Sequence, residues 1–167
     1  GTIRKQVTSN AHFSVNLKFK WAPQGDRFIL WDNALAVMLR VDTAGVATRF
    51  DSAAYVSDAD WSPDGSSIVA SAIKISGAAP RLYRIATTTG AMTALYTALQ
   101  TGAVSWSSTN LIAFVAFDSA VARLGTIHPD GTGYTVIDSA AAFFNLDWSP
   151  DGNTLLYSRK TAGENDI

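Results

Sequence analysis

The sequence predicts an all-β fold made by repeating one antiparallel unit, and three observations carry that reading. Four tryptophans, Trp21, Trp61, Trp106 and Trp148, recur at spacings of 40, 45 and 42 residues. Each sits in a version of one phrase: KWAPQGD, DWSPDGS, SWSSTN and DWSPDGN. The intervening runs are rich in β-branched and aromatic residues bounded by turn residues, and none keeps a 3.6-residue period long enough for a helix. A period in the forties with an aromatic before a turn marks a β-propeller or a related array. The expected architecture is a β-propeller of about four blade equivalents, each a four-stranded antiparallel sheet. Residues 1–167 are expected to form a single propeller domain or a piece of one.

The elements follow unit by unit. Unit one gives Trp21, then RFILW (Arg27 to Trp31), LAVMLRV (Leu35 to Val41), a DTAG turn and VATRF. Unit two gives Trp61, the turn SPDGS, IVASAIKI (Ile68 to Ile75), RLYRIA (Arg81 to Ala86), the turn TTTG and MTALYT. Unit three gives Trp106, LIAFVAF (Leu111 to Phe117), ARLGTI (Ala122 to Ile127), HPDGTG and YTVI. Unit four gives FFNLDW, SPDGN and LLYSR, and its third strand begins near Asp166. In the WSPDG turns Pro presets φ near −65° and Gly accepts positive φ. Unit three has lost Pro, Asp and Gly, so its SSTN turn is expected to differ. The alanines of Ser139–Ala142 favour helix but span four residues before a strand-like segment. With Ser71–Ala72, they suit the narrow space where blades converge.

Thr2 to Thr8 (TIRKQVT) reads as the last strand of a unit, which leaves two ways to close the array. That strand completes the fourth blade within the chain, or the chain is part of a longer propeller. A partial propeller would expose blade faces and sheet edges, which invite pairing with a second copy as a homodimer.

Composition narrows the function. Hydrophobic residues make up 47% and charged residues 16%, which suits a chain that buries much of its surface. The net charge of −1 suggests neither a nucleic-acid partner nor an anionic membrane, and no run of about 18 apolar residues predicts membrane insertion. Gly1 to Thr8 does not read as a signal peptide. With no cysteine, disulfides, zinc–thiolate sites and thiol nucleophiles are excluded.

Candidate site residues come from the strand before each Trp. Two residues earlier lie Phe19, Ala59, Val104 and Leu146, sharing the face of the Trp because strand side chains repeat every two residues. The opposite face carries Lys18 and Lys20, Asp58 and Asp60, Ala103 and Ser105, Asn145 and Asp147. If these strands are innermost, Lys18, Lys20, Asp58, Asp60, Ser105, Asn145 and Asp147 ring the axis. They then form a polar wall for a charged ligand or a peptide terminus. The competing reading pairs Lys18 or Lys20 with Asp58 or Asp60 between blades, as structural ion pairs.

Other constellations fail. An EF-hand counted from Asp58 would place Ser62, Pro63 and Val69 where a ligand, Gly and Glu are needed. Asp64 and Asp151 are expected instead to cap their own turns. His12 and His128 are the only histidines, and His128 reads as a solvated residue before a PDG turn. No G-x-S-x-G elbow and no carboxylate pair with a defined acid and base is present. No catalytic residue, metal or cofactor is expected. Trp31 lies off the repeat register, and it, Tyr55, Tyr83, Tyr96, Phe143 and Phe144 read as core or as exposed anchors.

DWSPDGSSIVAS and LDWSPDGNTLLYSR resemble the repeat of TolB-like propellers, a WD-repeat-like family, in which WSPDG precedes a strand such as IAF or LLY and a later strand begins DIY. Asn165, Asp166 and Ile167 match the start of that last strand, while Ala22 and Gln24 depart from the pattern. The resemblance implies a non-catalytic scaffold that binds a protein or peptide on a face or in the axial channel, in the periplasm or cell envelope. It also leaves open a propeller segment of a larger enzyme, such as the gating domain of a prolyl-oligopeptidase-type serine peptidase. A lyase-type propeller would need a histidine and metal cluster that two isolated histidines do not supply.

Overall fold

In the computed structural model, residues 17–50, 53–74, 79–119, 121–161 and 164–166 are described. They form fifteen strands and no helix among the described residues. TIRKQVT and His12 lie outside the described residues.

The strands fall in chain order into four separate meanders. Blade 1 is β1 (Lys18–Trp21), β2 (Arg27–Asp32), β3 (Val37–Asp42) and β4 (Ala47–Arg49). Blade 2 is β5 (Ala53–Trp61), β6 (Ser67–Lys74), β7 (Arg81–Ala86) and β8 (Met92–Tyr96). Blade 3 is β9 (Gln100–Trp106), β10 (Ile112–Asp118), β11 (Val121–Ile127) and β12 (Thr135–Ala140). Blade 4 has three described strands rather than four: β13 (Ala142–Trp148), β14 (Leu155–Thr161) and β15 (Glu164–Asp166). Every pairing is antiparallel.

The blades contact one another in sequence, with β1 against β5, β5 against β9 and β9 against β13. Their packing follows the pleat. On each blade the Trp face turns to the preceding blade and the opposite face to the following one. Ile29, Trp31 and Met38 of blade 1 pack with Ala59, Trp61, Ile68 and Ala70 of blade 2. Val69 and Leu82 of blade 2 pack with Trp106, Ile112 and Phe114 of blade 3. Val115 and Leu124 of blade 3 pack with Phe143, Leu146, Leu155 and Tyr157 of blade 4. Ile29, Ile68, Leu82 and Phe114 are fully buried, and each such side chain contributes about 1.5–3 kcal/mol relative to exposure. Trp31 is core, at 3% exposure. Phe143 is also buried, Tyr83 and Tyr96 pack against the core, and Tyr55 and Phe144 are exposed.

Polar groups stitch the same seams. Asn33 pairs with Val56 through both its amide groups, at 2.8 and 2.9 Å. Arg40 Nη1 donates to Thr87 O at 2.8 Å, and Ser71 Oγ meets Thr101 Oγ1 at 2.8 Å. Ser71 and Ala72 are fully buried, as expected for a convergence point. Ser139–Ala142 instead ends β12 and begins β13 with partial or full exposure, because it forms the crossover from the outer edge of blade 3 to blade 4.

The turn after each Trp repeats one backbone shape. Gly25, Gly65 and Gly152 have φ of 69°, 68° and 74° and donate to the carbonyls of Ala22, Ser62 and Ser149. Asp64 Oδ1 accepts Ser66 N–H at 3.0 Å and Asp151 Oδ1 accepts Asn153 N–H at 3.1 Å, capping their turns. The Ser62 and Ser149 hydroxyls, and after them these main-chain donors, hold both carboxyls below the usual Asp range. The SSTN turn of unit three departs less than its sequence implies. Asn110 takes φ 67° and donates to Ser107 O at 2.9 Å, so Asn replaces Gly in the left-handed position. Ser107 Oγ meets Thr109 Oγ1 at 2.7 Å, where the turns of units two and four pair Ser with Asp. The turn is one residue shorter, closing from Ser107 N to Leu111 O rather than from Ser62 N to Ser67 O.

Asn110 also accepts the Trp106 indole N–H at 3.0 Å. Asn110→Ala should therefore lose about 2 kcal/mol, from the left-handed backbone and the orphaned indole together. Asn110→Gly should lose only about 1 kcal/mol, since it relieves the backbone and forfeits the acceptor alone. Urea unfolding followed by tryptophan fluorescence measures both, and equal losses would remove the backbone argument.

Candidate axial binding site

The first strands of consecutive blades pack side by side, and a cavity lies at each end of the row. At their C-terminal ends a cavity of about 310 Å³ is lined by Trp21, Trp61, Trp106 and Trp148, with Asp60, Asp147 and the turn prolines Pro23, Pro63 and Pro150. At the other end a cavity of about 380 Å³ is lined by Lys18, Ser57, Asp58, Gly102, Ala103 and residues 143–146.

The second mouth owes its shape to β-bulges. The β5 register shifts between Val56 and Asp58, the β9 register opposite Phe114 and Ala116, and the β13 register between Phe144 and Asp147. The residues thrown out of register, Ser57, Gly102–Ala103 and Asn145–Leu146, all line this mouth. A bulge leaves a residue unpaired and re-aims its neighbours, and bulges concentrate at barrel rims and sites. Asn145 carries φ 53°, a left-handed value that Asn tolerates. Gly102 lets the Phe117 ring close over the bulge, since a Cβ there would meet that ring at 2.7 Å and push it aside.

The seven candidate residues separate into three settings. Lys18, Asp58 and Asn145 meet at the bulged mouth. Asp60 and Asp147 border the tryptophan mouth. Lys20 and Ser105 lie in the seams, joined through Asp60. Asp60 Oδ1 bonds Lys20 Nζ of blade 1 at 2.8 Å and its own Trp61 N–H at 2.8 Å. Asp60 Oδ2 accepts Trp106 N–H at 2.8 Å and Ser105 Oγ at 3.3 Å, both of blade 3. Lys18 Nζ donates to Ser57 O at 3.0 Å. Asp147 is exposed, and its carboxylate has no partner among the described residues. Strict alternation holds at Asp58 and Asp60, which pair opposite Ser71 and Val69, but the bulge breaks it at Asn145.

Burial pushes the Asp58 carboxyl up, against the lowering effects of the Val104 N–H at 3.0 Å and the charges of Lys20 and Lys18. No group of three His, Asp or Glu among the described residues could hold a metal ion. His128 is exposed at its turn.

The indoles are seam contacts too. Trp61 Nε1 donates to Lys20 O at 3.0 Å, and Trp148 Nε1 to Ser105 O at 3.3 Å. Each reaches the carbonyl just before the preceding blade's Trp. Neither the bulges nor these indole bonds were visible in the sequence. A Gly or Asn three or four residues before a repeat Trp is the only trace of a bulge, and Ser57 shows that even this trace is inconsistent.

Neither a family model nor a curated protein sequence matches the chain. Among solved structures, the putative TolB from Agrobacterium tumefaciens superposes with a TM-score of 0.75 at 19% identity, covering 89% of this chain and 56% of that one. TolB from Acinetobacter baumannii gives a TM-score of 0.64 at 17% identity, covering 83% of this chain and 37% of that one. An oligogalacturonate lyase in complex with manganese gives 0.62 at 17% identity, covering 87% and 47%. The fold is that of a TolB-like β-propeller, and the chain spans about half the length of the first of these structures.

Two outcomes test the site's internal chemistry. Asp60→Ala should cost about 2–4 kcal/mol, since it strips the acceptor from the buried Trp61 and Trp106 N–H groups, while the half-exposed Lys20 is hydrated in its place. Asp58→Asn keeps an acceptor for Val104 N–H and removes the buried charge. Because the Asp58 pKa is raised on folding, the folded chain binds the extra proton, so the wild type gains stability as pH falls through that raised value. Asp58→Asn should therefore be at least as stable as wild type at neutral pH, with the difference shrinking on acidification. Thermal melts across pH measure this, and a variant that is less stable at neutral pH would contradict it.

Proposed function

We propose that the chain acts over residues 1–167 as a non-catalytic scaffold that takes a protein or peptide segment at the bulged axial mouth. The observation that carries this reading is the composition of that mouth. One cavity gathers a lysine ammonium, a carboxylate, an amide and the apolar Phe144 and Leu146, supplied by the first strands of all four blades. Such a mixture suits an extended peptide. Lys18 would meet a terminal or side-chain carboxylate, Asp58 and Asn145 would meet main-chain N–H groups, and Phe144 and Leu146 would cover an apolar side chain. Exposed Lys18 and Phe144 are accessible to such a partner. No cofactor enters this reading.

The TolB-like fold supports a periplasmic or cell-envelope setting for this activity. No helix among the described residues is long and apolar enough to cross a membrane. The likeness to a manganese-bound lyase structure supports a second reading, in which the blades are part of a larger enzyme. That reading needs catalytic groups from elsewhere, and the gating domain of a serine peptidase would fit it in the same way.

Selection of a random peptide display library against the chain, followed by titration of recovered peptides, separates these readings. Peptides binding with micromolar affinity and losing about tenfold (~1.4 kcal/mol) on Lys18→Glu are expected. Recovered peptides indifferent to Lys18→Glu and to Phe144→Ser would move the site away from this mouth.

A further inference from the structure

Blade 3 lacks a bond that closes the turn end of blades 1 and 2. Thr43, Thr87 and Pro129 stand at one position, two residues past Val41, Ile85 and Ile127 of the third strands. Thr43 N–H donates to Asp26 O and Thr87 N–H to Ser66 O, each at 3.0 Å. These bonds draw the turn after a blade's third strand onto the turn after its first. Thr87 Oγ1 adds a second bond to Ser66 O at 2.9 Å. Pro129 has neither an N–H nor a hydroxyl to give. The turn it would meet, from Ser107 to Leu111, is also one residue shorter. A cavity of about 440 Å³ lies in the gap, bordered by Asn110, His128, Pro129, Thr132 and by Arg84 of blade 2. A second cavity of about 280 Å³ continues it toward Trp106, and Arg84, Asn110 and Pro129 border both. Blades 2 and 3, which form this groove, are each packed on both sides by another blade.

The groups around the gap are mainly donors. Arg40 and Arg84 are equivalent, standing opposite Ile29 and Val69 on their second strands. Arg40 spends both terminal nitrogens on its seam, Nη1 on Thr87 O at 2.8 Å and Nη2 on Thr48 Oγ1 at 3.2 Å. Arg84 keeps only the first of these bonds, Nη1 to Pro129 O at 3.3 Å, and its other N–H groups have no partner among the described residues. Thr93 stands opposite Arg84 as Thr48 stands opposite Arg40, yet the two do not bond. Asn110 Oδ1 is taken by the Trp106 indole at 3.0 Å, which leaves its amide N–H groups to donate. His128 is exposed. The carboxylates at the rim are committed to their own turns. Asp130 Oδ1 accepts Thr132 N–H at 2.9 Å and Thr132 Oγ1 at 2.7 Å, and Asp64 accepts from Ser62 and Ser66. We propose that this groove binds an oxyanion, a carboxylate or phosphate group carried by a small molecule, with Arg84 as its fork and Asn110 and His128 as further donors. A guanidinium presents paired N–H groups that match either anion, and charge-assisted bonds of this kind are stronger than neutral ones. The groove lies at the opposite end of the blades from the bulged mouth and does not depend on peptide binding there.

Titration of the isotope-labelled chain with glucuronate, a glucose phosphate and glucose, followed by amide NMR shifts, tests this, because the three probes share a ring and differ in the anion. Saturable shifts at Asn110, His128 and Thr132 are expected with one or both anions, at a dissociation constant of about 1 mM or tighter, and the tighter probe names the group. Arg84→Gln should weaken binding by about tenfold or more. Arg123→Gln removes an exposed arginine paired with Asp118 and should leave the titration unchanged. Circular dichroism checks that each variant folds. If Arg84→Gln does not, the exposed His128→Ala decides, with a loss of about threefold expected and wild-type affinity counting against the site. Glucose shifting the same residues as strongly overturns the proposal, as does the absence of shifts with either anion at about 20 mM. So does Arg84→Gln binding like wild type, or an equal loss in Arg123→Gln.

Discussion

The carboxylate of Asp60 is the joint on which the arrangement of blades depends. It is 8% exposed and gathers donors from three consecutive sheets: Lys20 from the first, its own Trp61 N–H from the second, Trp106 N–H and Ser105 from the third. An ion pair alone at this depth would struggle to offset desolvation. Two main-chain donors and a hydroxyl change that balance, because each satisfies a lone pair that burial would otherwise leave empty. The result ties together the first strands of the first three blades.

Around this joint the remaining forces are apolar and local. Trp61, Trp106 and Trp148 lie over the sheet before them, and aliphatic side chains on the facing side of that sheet receive them. The seams are not identical. Blades 1–2 and 3–4 are joined by an indole bond, whereas Trp106 spends its indole on Asn110 in its own shortened turn. The middle seam relies instead on Asp60, the Asp58–Val104 bond and the Ser71–Thr101 pair.

The repeat, the strand order within each blade and the polar face of the first strands were legible from the sequence. Periodicity of the Trp and strict alternation before it express the pleat directly. What was not legible came from geometry that no residue type announces. The bulges at Ser57, Ala103 and Asn145 depend on the register of a neighbouring strand, and one of them involves an ordinary serine. The SSTN turn shows the opposite case. Its letters differ at three positions, yet Asn110 and Thr109 take over the roles of Gly and Asp, so the left-handed corner survives in a turn one residue shorter. Lys20 pairs with Asp60 between blades, as the structural ion-pair reading expects, and Asp60 holds Ser105 in the next seam.

The indole bond that Trp61 and Trp148 each make to the carbonyl before the preceding Trp has a consequence for how such chains arise. It links a residue to the equivalent position one unit earlier, so a single unit contains both the donor and the acceptor. Copying one stretch of about forty residues therefore creates a matched seam at once, with no compensating change elsewhere. Lineages built on such a unit can gain or lose blades in whole steps. A donor redirected in one copy, as Trp106 is to Asn110, is then replaced by neighbouring polar groups and need not propagate along the array.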